Sequence, residues 1–302
     1  MFRIVEFASE GATLRGRLYL HQHVSRQPPV VIMTHGFSAT INGMVSDKYA
    51  EVFHKAGFAV LLYDHRNLGI SDGEPRQEIN NWIQARGYRD AIDFVCSLAC
   101  VDKTKIAIWG DSASAGEVIM VGAIDDRVRA IIAQVPACGD EPPPDDPQGK
   151  LFESIKETFL HGDVQGTPET AIRPLPVVSF DQMSVPSLLT PLSAFHWFIE
   201  YGARYGTNWK NHATFVDPMT PVPYQPGLCA AHLKAPIQMI VAIEDEMPGA
   251  SYNISRMVFD RAPQSKELVE MGGGHFGLLY YPGEFFDQAS NAQREFLIQH
   301  LM

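Results

Sequence analysis

The sequence predicts an α/β fold: a mostly parallel central sheet flanked by helices, with a helical lid inserted late in the chain. Short apolar runs recur without polar interruption, as strands covered on both faces require. Amphipathic helical patterns separate them, and strand–helix alternation of this kind builds parallel sheets. The rhythm breaks at Gly139 and resumes near residue 233, which marks an insertion between two core strands.

Taken in order, residues 3–7 and 14–20 alternate apolar and polar, and read as a hairpin turning at Glu10-Gly11 on a sheet edge. Continuous apolar runs at 30–34, 58–63, 105–109, 130–135 and 236–241 read as buried strands, and a shorter one at 267–270 leads into a glycine-rich loop. Tyr88, Ala91, Ile92, Val95 and Leu98 fall on one helical stripe. Residues 112–123 are small and apolar enough for a helix packed closely against the sheet. Phe285, Phe286, Ala289, Ala292, Phe296 and Leu297 give a last helix its apolar face. The stretch from Asp140 to Pro147 reads Asp-Glu-Pro-Pro-Pro-Asp-Asp-Pro, whose prolines neither extend a helix nor pair in a sheet. Beyond it, helices are expected at 151–160 and 192–205. A structureless loop of that length is rare in a compact domain. The expected division is therefore a core over 1–137, a lid over 138–232 and a second part of the core over 233–302.

The chain carries 35 Asp and Glu against 24 Lys and Arg, a formal net charge of -11. That balance argues against nucleic acid, whose phosphates need a basic face. No apolar stretch approaches the roughly 18 residues of a membrane span, and the N-terminus lacks the order of a signal peptide. Cys96, Cys100, Cys138 and Cys229 form neither a metal nor a disulfide framework, and are expected to be reduced, buried thiols, the first two on one helix. His21 and His23 have no partner spacing that argues for metal. A cytoplasmic enzyme is expected, with no metal and no nucleic-acid or membrane partner. A homo-oligomer is left open.

The most informative stretch runs from Lys105 to Gly116. An apolar strand ends at Gly110, Ser112 follows, and a helix of small residues begins. This is the setting of a nucleophile elbow, a tight strand-to-helix turn that lifts a hydroxyl above the sheet edge. The turn needs small residues two positions either side of the serine. Gly110 and Ser114 fill those positions, with Gly116 two further on. Ser114 is the rival nucleophile, but the strand ends too early for it. At a helix N-terminus, the amide of Ala113 faces the oxyanion of a tetrahedral intermediate.

After the strand at 30–34 comes His35-Gly36-Phe37-Ser38, placed to supply the second oxyanion amide from Phe37. Gly36 is expected to permit an unusual backbone angle there, and His35 to pack beneath the loop. The base is expected at His275, in Gly272-Gly273-Gly274-His275. The acid lies between strand and histidine, in Glu244-Asp245-Glu246, where three carboxylates compete and Asp245 fits the loop best. Asp64 and Arg66, in the loop after the strand at 58–63, are expected to pair locally as scaffold.

With these residues in hand, the chain resembles the α/β-hydrolases over nearly its whole length. His-Gly-Phe, Asp-x-Arg-x-x-Gly-x-Ser-x-Gly, the elbow and Gly-Gly-His-Phe occur in order. More closely, it resembles the dienelactone-hydrolase-like and fungal polyketide-transferase-like group, whose elbow reads Gly-x-Ser-x-Ser-Gly-Gly. That form accounts for Ser114, although Ala115 replaces a glycine. The resemblance implies two-step acyl transfer without a cofactor, by Ser112, His275 and Asp245, with Phe37 and Ala113 holding the oxyanion. The expected substrate is a carboxylic ester with a small to medium apolar acyl group. An acyltransferase or thioesterase, or an amide or C–C bond hydrolase, is the alternative. His196, Trp197 and Tyr201 in the lid are candidates for substrate contact.

Overall fold

The structure is a computed structural model that describes residues 1–21, 26–263 and 265–302; His23 lies outside the described residues. It begins with the expected hairpin, β1 (Phe2–Ser9) and β2 (Ala12–Tyr19). The turn residues Glu10 and Gly11 take φ of 45° and 77°, the left-handed pair that suits a two-residue connection. There follow β3 (Val30–Met33), α1 (Ser46–Lys55), β4 (Ala59–Tyr63), β5 (Glu78–Ile79), α2 (Asn81–Ser97), β6 (Ile106–Asp111), α3 (Ala113–Ile124) and β7 (Val128–Gln134). The chain continues through α4 (Lys150–His161), α5 (Leu192–Trp197), β8 (Thr214–Phe215), α6 (Pro226–Cys229), β9 (Ile237–Ala242), α7 (Tyr252–Arg261), β10 (Lys266–Met271) and α8 (Glu284–Leu301).

Eight strands form one sheet in the order β1-β2-β4-β3-β6-β7-β9-β10. The hairpin and the β2–β4 pair are antiparallel, and every other pairing is parallel. Both faces are covered, which explains the continuous apolar runs. Val30 and Ile32 of β3, with Ile106 and Ile108 of β6, point into a core shared with α2 and α3. Their neighbours Val31, Met33, Ala107 and Trp109 point into the opposite core, with α1 and α8. The period-2 alternation of side chains sends each strand into both cores.

Helix α2 starts where Asn80 caps the amides of Trp82 and Ile83 at 3.1 and 3.3 Å. It ends at Ser97, before Cys100. Cys100 is therefore exposed and off the helix, against expectation, while Cys138 and Cys229 are buried; all four thiols are free.

Between β7 and β9, no described residue joins the central sheet; β8 pairs with β5 instead. The two helices expected in this insertion form, but they do different things. Phe152, Ile155 and Phe159 of α4 join the core beside α2. Arg86 of α2 donates to the carbonyls of Phe159 (2.8 Å), Thr158 (3.0 Å) and Gly162 (2.7 Å), and so holds the C-terminal end of α4. α4 is thus a brace on the flank of the core. The second helix is shorter than the expected 192–205: α5 passes into one π-helical turn at Phe198–Gly202. Among the described residues, no helix is long and apolar enough to cross a membrane.

Candidate active site

The turn from β6 to α3 places Ser112 at φ 54° and ψ −118°. For a residue with a Cβ this backbone costs on the order of 1–3 kcal/mol and persists only where its surroundings over-determine it. Here they do. Ser112 donates its amide to Gln134 (2.9 Å), and its carbonyl accepts from Ala137 (2.9 Å). A side chain on Gly110 would collide with the Ser114 carbonyl, which is why the position two before the serine holds glycine. Ser114 is fully buried. Its hydroxyl accepts from the Asp111 amide at 2.9 Å and faces the Asp111 carbonyl at 2.9 Å. It closes the turn. Ser112 is left half-buried at the floor of a cavity.

His275 reaches the same cavity from the loop after β10. Its Nδ1 lies 2.8 and 3.0 Å from the two carboxylate oxygens of Asp245. Both side chains are 1% exposed. Donation from Nδ1–H to a buried carboxylate leaves Nε2 as the unprotonated nitrogen. Of the three competing carboxylates, Glu244 is exposed, and Glu246 accepts from the main-chain N–H of His275 at 3.0 Å. Asp245 alone meets the ring.

The loop after β3 packs against the elbow through a buried ion pair absent from the sequence reading. Asp111, at the end of β6, accepts from His35 Nδ1 at 2.9 Å and from the Gly36 amide at 2.9 Å. The other ring nitrogen of His35 donates to the Met44 carbonyl. Burial pulls the His35 pKa down, but the Asp111 carboxylate and these hydrogen bonds outweigh it, and the net shift is upward. Gly36 is needed for space and not for an unusual angle: it is not among the glycines with positive φ. A Cβ there would sit 2.7 Å from the Asp111 carbonyl. The amides of Phe37 and Ala113 flank the elbow, and neither donates to a protein acceptor among the described residues. At the far end of the loop, Asp64 accepts from the amides of Ile41 (2.8 Å) and Ile70 (2.9 Å). It does not pair with Arg66. The expected local ion pair is replaced by two amides, one contributed by a segment distant in sequence. Burial pushes the Asp64 carboxyl up to about 6, against the pull of these two amides.

The cavity encloses about 30 Å³ and is walled mostly by apolar side chains, among them Phe37, Leu189, Met247, Phe276 and Leu279. Trp197 and Phe198 form its roof. Trp197 stacks on Phe276, lies edge-on to His35, and donates its indole N–H to the Leu279 carbonyl at 2.9 Å. The other two lid candidates are elsewhere. His196 is exposed, and Tyr201 is buried against Tyr281, accepting from its amide at 2.9 Å. Phe198, one residue on from Trp197, lines the cavity instead.

Both the sequence and the fold of this chain match known proteins. The profile of the α/β hydrolase fold matches residues 29–175. A thiohydrolase of Eupenicillium brefeldianum is 30% identical over 278 residues, spanning 91% of this chain and 87% of that one. The chain belongs to the α/β-hydrolase family. Within that family, this α/β hydrolase is also similar to polyketide transferase af380 of Aspergillus fumigatus, 26% identical over 98% of each chain. Its fold matches the α/β hydrolase GrgF from a Penicillium species at a TM-score of 0.73, with 26% identity over 100% of this chain and 99% of that one. As a member of this family, it is an enzyme with hydrolase or acyltransferase activity.

Proposed function

We propose that this α/β hydrolase cleaves a small to medium apolar acyl ester or thioester through an acyl-enzyme on Ser112. The observation that carries the reading is the convergence of a strained, half-buried serine and a carboxylate-held imidazole on one apolar cavity. His275 Nε2 takes the proton from Ser112 as its oxygen adds to the acyl carbonyl. The amides of Phe37 and Ala113 receive the oxyanion, each such donor being worth on the order of 3 kcal/mol in the transition state. Asp245 fixes the ring tautomer and stabilises the imidazolium. The tetrahedral adduct collapses, the bond to sulfur or oxygen breaks, and His275 returns the proton to the leaving group. Water, deprotonated by the same histidine, then releases the acid. The chain's own side chains and main-chain amides, with water, carry every step.

The apolar walls favour an aliphatic or aromatic acyl group over a charged one. Similarity to a protein named a thiohydrolase supports a thioester as the preferred donor, with the oxygen ester beside it. The likeness to a protein named a polyketide transferase favours a second reading, in which an alcohol replaces water as acceptor. The insertion would then act as a lid, with α5 as the moving roof. Four free thiols support placement in the reducing cytoplasm. The test is a matched series of butyryl and octanoyl thioesters, esters and amides, each assayed with water alone and with added alcohol. Thioester and ester turnover with little amide cleavage is expected, and preference for amides would refute the reading.

A further inference from the structure

We infer that Glu246 is a positioning residue that couples docking of the roof helix to the placement of His275; this rests on His275 being the base. Two consecutive carboxylates hold the histidine in different ways. Asp245 takes the ring, whereas Glu246 Oε2 accepts the main-chain N–H of His275 at 3.0 Å. The other oxygen of Glu246 accepts the hydroxyl of Ser193, in the first turn of α5. One carboxylate therefore joins the acid loop, the histidine loop and the roof. Gly274 makes room for it, since a Cβ there would collide with Glu246 Oε2.

Among the described residues, the other side-chain hydrogen bonds from the roof to the core run elsewhere. Trp197 reaches Leu279, and Tyr201 meets Tyr281. Both partners follow His275 in the chain, so these contacts hold the roof without bearing on the acid loop. When α5 lifts to admit substrate, Ser193 leaves Glu246, and the carboxylate loses one of its two anchors. When α5 docks, Glu246 is fixed and so is the His275 backbone. Closing the cavity and setting the base are then one event.

The test uses a fluorophosphonate probe, whose rate of reaction reports activation of Ser112, together with steady-state hydrolysis of a butyryl thioester. Glu246→Ala should slow labelling and kcat by roughly tenfold to a hundredfold, with a smaller change in KM, because a small misplacement of a reacting group costs that much. Glu246→Gln keeps an acceptor for the His275 amide and should restore most of the lost rate. Ser193→Ala should slow the wild-type enzyme severalfold yet add nothing to Glu246→Ala, since both break one network. Wild-type kcat in Glu246→Ala, failure of Glu246→Gln to recover, or strict additivity with Ser193→Ala would each overturn the coupling. His275→Ala separates the two layers. If it labels normally, the reading of the base falls; if it is inert while Glu246→Ala is fully active, only the coupling falls.

Discussion

Replacing His35 by alanine tests the buried ion pair beneath the elbow. His35 and Asp111 are 2% and 1% exposed, and their contact is 2.9 Å. Without the imidazole, the Asp111 carboxylate keeps only the Gly36 amide at 2.9 Å and the Ser114 hydroxyl at 3.5 Å. A buried charge stripped of its partner typically costs 3–5 kcal/mol. The wild type gains as pH falls. The folded His35 pKa is raised, so its contribution is fully present below the ordinary value near 6.5 and lost as pH rises through the folded one. The deficit of the variant should therefore stay near 3–5 kcal/mol and widen by under about 1 kcal/mol between pH 7 and pH 5. Urea unfolding of both proteins across that range measures it. A deficit below 1 kcal/mol at pH 7, or one that does not change with pH, would show that the pair is not held as charges.

Three further outcomes are expected. Asp245→Asn should lower kcat by about 10⁴-fold, with the ring held in the wrong tautomer, while KM changes little; steady-state kinetics decides this, and a loss of only a few fold would reassign the acid. Trp197→Ala should destabilise by about 3–5 kcal/mol as a buried indole is lost, and should shift acyl preference toward longer chains; an unchanged chain-length profile would deny Trp197 its place in the roof. Asp64 should add a proton-linked term. With its folded pKa raised to about 6, the native state binds a proton between pH 4 and 6 that the unfolded chain does not. Its contribution to stability therefore falls by about 3 kcal/mol as pH rises through that window. Asp64→Asn should flatten that slope in pH-dependent melts, and an unchanged slope would refute the assignment.

The parts of the site legible in the sequence were those imposed by local backbone demands. Gly110, Ser112 and the small residues after them describe a strand-to-helix turn whatever surrounds it, and the strand runs on either side bring the glycine-rich His275 loop to the same sheet edge. What could not be read was decided by contacts between distant segments. Position past the strand favours Asp245 over its neighbours, but only the path of the chain after β9 turns one carboxylate to the imidazole and the next to its backbone. Asp64 was matched to Arg66 because a buried carboxylate invites a nearby cation, yet its partners are amides, one of them from Ile41. Asp111 carries no signal of its own in the elbow, and its pairing with His35 appears only when β3 and β6 lie side by side. In the insertion, residue type pointed to the right helix. The way α5 docks then decides which aromatics line the cavity: Trp197 and Phe198, with His196 exposed. Similarly, the sequence predicts a helix at 151–160, but not that Arg86 of α2 would hold its C-terminal end.

The central claim is that the hydroxyl at 112 becomes covalently acylated with help from the imidazole at 275. It is tested most directly by quenching the enzyme in acid during turnover of a butyryl thioester and mapping the added mass by peptide sequencing. The account predicts a butyryl group on Ser112, no adduct in Ser112→Ala, and an adduct still on Ser112 in Ser114→Ala. An adduct on any other residue, or undiminished turnover by Ser112→Ala, would contradict it.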